Sequence, residues 1–156
     1  MVEMSVRIGT LELKNPVMPG SGTFAEGLDK VMDLNRLGAI VTKTVTPDIR
    51  EGCPPPRVVE YRDATLMAIG IPCKGPEHYV NEIVRFYRRF ETPLIASISA
   101  PSVEEFARLA SYISVPGVAA IEANISCPNL QKDGLSFSMD CEATEHVIRV
   151  MKSATD

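Results

Sequence analysis

The run Asn124-Ile125-Ser126-Cys127-Pro128-Asn129 sets one thiol between two side-chain amides. A thiol can act once it loses its proton, and an amide both donates and accepts hydrogen bonds. Residues of these types, closely spaced, are placed for chemistry on a polar ligand. The preceding Gly117-Val118-Ala119-Ala120-Ile121-Glu122-Ala123 reads as a short buried strand, which Cys127-Pro128-Asn129 breaks into a loop at its carboxyl end. In parallel α/β folds that end of the strand carries the active site.

The other candidate groups read more plainly. The four cysteines, at 53, 73, 127 and 141, form no CxxC pair and have no histidine at ligand spacing, so neither a zinc site nor a disulfide scaffold is expected. Cys53, Cys73 and Cys141 read as small buried residues, and Met67, Met139 and Met151 as core or gap-filling side chains. His78 and His146 fall in expected helices, with a solvated or packing role. A net charge of -4 with scattered Lys and Arg gives no electrostatic footprint for nucleic acid. Met1-Val2-Glu3-Met4 is not a basic leader ahead of an apolar core, and no apolar run approaches the roughly 20 residues that span a bilayer. The expectation is a cytoplasmic protein with no membrane partner.

The elements that must position Cys127 alternate along the chain. Val6-Arg7-Ile8 and Leu11-Glu12-Leu13 flank Gly9-Thr10 as a small hairpin. Pro16 to Gly20 reads as a first core strand, running into Ser21-Gly22-Thr23-Phe24. A helix is expected from about Leu28 to Leu37 with Gly38 as its stop, then the strand Ala39 to Thr42 leading into Lys43-Thr44. Pro47 to Gly75, with Pro54-Pro55-Pro56, reads as a long irregular excursion. Tyr79, Ile83, Phe86 and Tyr87 share one face of a helix from Pro76 to Phe90, and Pro93 to Ile98 is a strand. Ser102 and Glu105 form a capping box for a helix to Ile113 that turns Phe106, Leu109, Ala110 and Ile113 inward. Glu142 to Ala154 reads as the last helix.

Strand and helix in alternation predict parallel pairing within one domain, residues 1–156. Four core strands and four helices are about half of a (β/α)8 barrel, which needs on the order of 250 residues. A doubly wound sheet could close at this length, but Gly20-Ser21-Gly22 lacks the third glycine of a dinucleotide loop. The expected fold is α/β: strands one to four, the N-terminal half of a (β/α)8 TIM barrel, preceded by a small β-hairpin.

Five motifs in order carry a resemblance across nearly the whole chain. They are Leu13 to Phe24, Gly38 to Thr44, Pro55-Pro56-Arg57-Val58, Ala68-Ile69-Gly70, and Asn124 to Asn129. The chain resembles the N-terminal half of class 1 dihydroorotate dehydrogenases, and within them the class 1B, NAD-linked catalytic subunit most closely. The resemblance implies an FMN-dependent oxidation of dihydroorotate to orotate in pyrimidine biosynthesis, with Cys127 as the base. An ordinary thiol, with a pKa of about 8.5, is mostly protonated at neutral pH, so this role requires surroundings that favour the thiolate or a proton relay.

The resemblance further implies that Lys43, Asn124 and Asn129 bind a pyrimidine-like substrate, and that Ser21, Gly22, Lys43, Thr44 and Ser97 contact FMN, with no metal. The implied partners are a chain carrying the C-terminal half-barrel and an electron-transfer subunit with FAD and iron–sulfur centres. Met67 and Cys73 occupy positions where the family pattern carries asparagine. The alternatives are therefore a related FMN oxidoreductase acting on another ring substrate, or a non-catalytic half-barrel binding module.

Overall fold

A computed structural model describes residues 2–22, 27–127 and 136–155. The chain opens with the antiparallel hairpin β1 (Val6–Ile8) and β2 (Leu11–Leu13), registered Ile8 to Leu11, with Gly9 at φ +59° in its turn. It continues through β3 (Ile40–Val41) to a second antiparallel hairpin of β4 (Val58–Tyr61) and β5 (Ala64–Met67). Helices α1 (Gly75–His78) and α2 (Arg85–Tyr87) follow, joined by a π-helical stretch Tyr79–Val84. Then come β6 (Leu94–Ile98), α3 (Val103–Ile113), β7 (Ala120–Ala123) and α4 (Cys141–Ala154).

Strands β3, β6 and β7 form a parallel sheet in the order β3-β6-β7. Side chains alternate between its two faces. Ile40, Val45, Ala96 and Ile98 pack in the larger core with Phe106, Leu109 and Ile113 of α3 and Val147 and Met151 of α4. Ala39, Val41 and Ile95 point the other way and pack with Leu13 of the N-terminal hairpin. The sheet therefore has an outer, helix-covered face and an inner face. The expected capping box holds at its first half, the Glu105 N–H donating to Ser102 Oγ at 3.3 Å, and all four residues expected inward on α3 are buried.

Several expectations are corrected. Residues 16–20 form no strand, because Pro16 and Pro19 lack the N–H groups a ladder needs. Instead Val17 O accepts from Gly38 N at 2.8 Å, and Asn15 clamps the turn, donating to Arg36 O at 3.1 Å and accepting from Val17 N at 3.0 Å. The approach is so close that a Cβ on Gly38 would lie 1.8 Å from Asn15 O. The helix expected over 28–37 is two single 3-10 turns, Leu28–Lys30 and Leu34–Arg36. The 47–75 excursion contains the β4–β5 hairpin, whose sign was the β-rich Val58-Val59-Glu60-Tyr61 before Arg62-Asp63. Met67 and Met139 are exposed rather than core, and so is Cys141 on the first turn of α4.

The helix from Gly75 to Tyr87 holds β3 in place. Its π-helical stretch lengthens the turn and brings Val84 inward, so Tyr79, Val84 and Tyr87 are buried while Ile83 and Phe86 are half-buried. The Tyr79 hydroxyl bonds Thr42 Oγ1 at 2.7 Å beneath the helix. Burial pushes the Tyr79 hydroxyl up to about 12, against the opposing pull of the Thr42 hydrogen bond. The fold's stability from this group is whole below pH 10 and is lost as pH rises towards 12. We predict that Tyr79→Phe costs about 1 kcal/mol at neutral pH. It should also remove an alkaline loss of about 2–3 kcal/mol. Urea midpoints at pH 8 and at pH 11–12 check this, and an alkaline slope unchanged by the substitution would refute it.

Candidate functional site

The site starts from a register shift. Thr42 N donates to Ile95 O, yet the next ladder bond runs from Val45 N to Ser97 O, and Val45 pairs with Ile98 as Val41 pairs with Ile95. Four residue steps of one segment thus oppose three of the other. This is a bulge, which bends a strand and re-aims a side chain. Ile40 and Val45 both face the outer core, although five residues apart, and Thr42 turns out towards Tyr79. Lys43 and Thr44 are left side by side on the inner face.

Their contacts follow. Lys43 Nζ donates to Gly22 O at 3.3 Å, drawing the 20–22 segment over the inner face. Thr44 Oγ1 lies 3.0 Å from Ser97 Oγ and accepts from Asn124 Nδ2 at 3.0 Å. The amide nitrogen donates to Thr44 Oγ1, and in the Thr44–Ser97 bond either hydroxyl can be the donor. Ser99 Oγ donates to Asn124 O at 2.7 Å, which fixes the backbone where β7 becomes the loop. Ser126 Oγ donates to Asn124 Oδ1 at 3.4 Å, and Cys127 follows as a half-buried thiol.

The structure therefore brings together Gly22, Lys43, Thr44, Ser97 and Asn124, with Cys127 three residues beyond Asn124 on the same loop. Ser21 is half-buried beside Gly22. Asn129 lies outside the described residues. Reasoning from sequence missed Ser99 and the inward Glu122, although Ser97-x-Ser99 and Glu122-x-Asn124 carry the strand period of two that would have found them.

A cavity of about 430 Å³ borders Lys43 and Thr44 and runs to the helix side past Tyr79, Ile83 and Tyr87, apart from Ser97, Asn124 and Cys127. Cys73 forms part of its wall. Its Sγ accepts from Thr46 N at 3.4 Å and Gly75 N at 3.2 Å, so this half-buried thiol organises the loop as well as packing against the larger core. Among the described residues no cluster of three or more potential metal ligands occurs, and no helix is long and apolar enough to cross a membrane.

Comparison with known proteins gives the family of the chain. The family profile described as dihydroorotate dehydrogenase matches residues 3–156. The chain belongs to the dihydroorotate dehydrogenase family. It is 43% identical over 157 residues to the dihydroorotate dehydrogenase B (NAD(+)) catalytic subunit of Desulforudis audaxviator, covering 99% of this chain and 51% of that protein. The same-named subunit of Listeria welshimeri is 42% identical over 156 residues, covering 98% and 51%. The chain thus spans about half the length of the curated relatives it matches, and corresponds to the N-terminal half of the class 1B type. A solved dihydroorotate dehydrogenase from Eimeria tenella, in complex with ferulenol, shares the fold with a TM-score of 0.76 at 19% identity, over 97% of this chain and 43% of that one.

Within this family member the Thr44 hydroxyl is the joint of the polar network. Thr44→Val should destabilise the protein by about 1–3 kcal/mol, because Asn124 Nδ2 and Ser97 Oγ both lose a partner. Thr44→Ser, which keeps the hydroxyl, should cost well under that. Chemical denaturation of the two variants measures the difference, and equal losses would show that packing of the methyl matters instead.

Proposed function

We propose that this chain is the N-terminal half of an FMN-dependent (β/α)8 barrel that oxidises dihydroorotate to orotate in pyrimidine biosynthesis. The observation that carries the reading is the convergence of Lys43, Thr44, Ser97 and Asn124 on one inner face, below the loop that bears Cys127. The residues present fit a flavin ring. Among the described residues, an added Cβ at Gly20 or Gly22 meets nothing within 4 Å, so the backbone there leaves room for a flat group. Lys43 is half-buried and pairs with no carboxylate among the described residues, as suits a cation beside a ring that gains negative charge.

On this reading Ser21, Gly22, Lys43, Thr44 and Ser97 hold FMN, which when bound supplies the two-electron acceptor for hydride from C6 of the substrate. Cys127 takes the proton from C5 on the opposite side of the ring. Asn124 and Asn129 hold the ring by donating to its carboxylate and accepting from its N–H groups, with Lys43 close enough to share the carboxylate. Asn124 is pre-set for this: its Nδ2 is tied to Thr44, which fixes the amide plane before any ligand arrives.

The rest of the barrel comes from the C-terminal half, and electrons leave through a separate subunit carrying FAD and iron–sulfur centres. The β7 end of the sheet supports the need for a complement. Among the described residues strand β7 is paired on one side only, and a groove of about 390 Å³ runs along its open side between Ala120, Ile121 and Ala123 and the α4 residues Ile148, Met151 and Lys152. A strand and helix of the second half fit there. A second reading, another ring substrate on the same flavin and base, is favoured by Met67 and Cys73: the first is 71% exposed and offers no amide, and the second is engaged with backbone.

Cys127→Ser should slow substrate-dependent flavin reduction by a factor of about 10² or more at neutral pH while FMN stays bound. Stopped-flow bleaching of the flavin by dihydroorotate measures it, and an unchanged rate removes Cys127 from the mechanism.

The chain expressed alone should be oligomeric or aggregated and bind FMN weakly, because the β7 edge and the inner face both meet water. Co-expression with the C-terminal half should recover a compact yellow protein. Sedimentation with flavin titration decides between them; a stable monomer that binds FMN tightly would sink the half-barrel reading.

A further inference from the structure

Glu122 is the carboxylate that the proposed chemistry leaves unused. It sits on β7 opposite Ser97 of β6, and the strand period fixes its direction. Its neighbours Ile121 and Ala123 pack in the outer core, whereas Ala120 packs with the inner cluster of Ala39, Val41 and Ile95. Glu122 therefore points inward, in the same tier as Ser97 and one step below Asn124. It is half-buried, and its carboxylate pairs with no cation among the described residues.

Closing a barrel over this face would bury the carboxylate, and an unpaired buried charge is strongly disfavoured. Two sources of a countercharge can be compared, one among the described residues and one on a neighbouring strand. Lys43 is on the same face but two strands away, on the order of 10 Å between backbones. Its Nζ is also engaged with Gly22 O. The open edge of β7 is adjacent: a strand hydrogen-bonded there lies about 4.8 Å from it, and its inward side chains flank Glu122 directly.

We infer that Glu122 forms an ion pair, inside the barrel, with a lysine or arginine on the strand that pairs with the open edge of β7. The pair joins the two halves and fixes which inward residues of the second half lie beside Ser97 and Asn124. This rests on the half-barrel reading, since that reading provides the neighbouring strand.

The test uses a barrel-length protein, either one polypeptide or this chain co-expressed with its complement, and reads the urea unfolding equilibrium rather than turnover. Each inward Lys or Arg of the strand beside β7 is changed to Met, alone and with Glu122→Gln. The expected result is that Glu122→Gln and one cation variant each shift the equilibrium by tenfold or more, while the double variant loses no more than the worse single. Additive losses for every cation, or no loss from Glu122→Gln, would overturn the inference. Should Glu122→Gln fail to fold, Glu122→Met with the cation changed to Met should still fold, because an apolar pair leaves no stranded charge. Failure of that double variant would also count against the pair. A barrel-length protein that folds but holds no FMN would sink the functional reading and leave the ion pair to be judged by the same cycle.

Discussion

The extra residue between Val41 and Val45 is the constraint on which the inner face depends. Without it, period-two alternation would turn Thr44 outward with Ile40 and Thr42, into a core already filled by α3, α4 and the Gly75–Tyr87 helix. The bulge instead gives the inner face two consecutive polar side chains at the carboxyl end of β3. One is long and charged and reaches out to Gly22; the other is short and joins Ser97 to Asn124. It costs one position of ladder and yields a cation and a hydroxyl within a single residue of each other.

That arrangement is held from both sides. Behind it, the Thr42–Tyr79 bond ties the outward residue of the bulge to the helix, so the strand cannot slip back into register without stranding a buried phenol. In front, Gly38 takes the 15–17 turn at contact distance, which lets the following residues cross above Lys43. A side chain at position 38 would push that crossing away. The π-helical stretch works in the same direction, as it brings Val84 as well as Tyr79 and Tyr87 onto the sheet. Irregularities in three elements thus combine to fix one short polar segment.

These irregularities explain what could and could not be read from the sequence. Regular amphipathic elements were legible: α3 turns in the four residues its spacing implied, and β6 and β7 fall within the predicted strands. That Gly22, Lys43, Thr44 and Asn124 belong together was suggested by motif order, not by periodicity, and the structure brings them to one face with Ser97. What escaped was set by tertiary contact. Neither the bulge nor the π-helical stretch leaves a mark in hydrophobic pattern, and the 16–20 segment is apolar enough to read as a strand although its two prolines forbid the ladder. Glu122 escaped because the run 117–123 reads as one buried strand with no distinction between its faces, whereas the pairing of β7 with β6 sets Glu122 opposite Ser97 on the inner face.

On the proposed reading, Cys73 is a position where specificity changes while the shape of the loop is kept. Its sulfur accepts from Gly75 N at the start of α1 and from Thr46 N in the segment after β3, so it ties the loop after β5 to both. An asparagine there could accept the same bonds through Oδ1 and still present Nδ2 to a ligand. The thiol keeps the accepting role and offers only a weak S–H donor in place of the amide. Replacement thus preserves the loop that borders Lys43 while removing a donor from the ligand's side. On the proposed reading, a ring that relies on fewer acceptors at that corner loses least in this site. Dihydroorotate, whose carbonyls would meet one amide fewer, leans correspondingly harder on Asn124, whose orientation the bulge has already set.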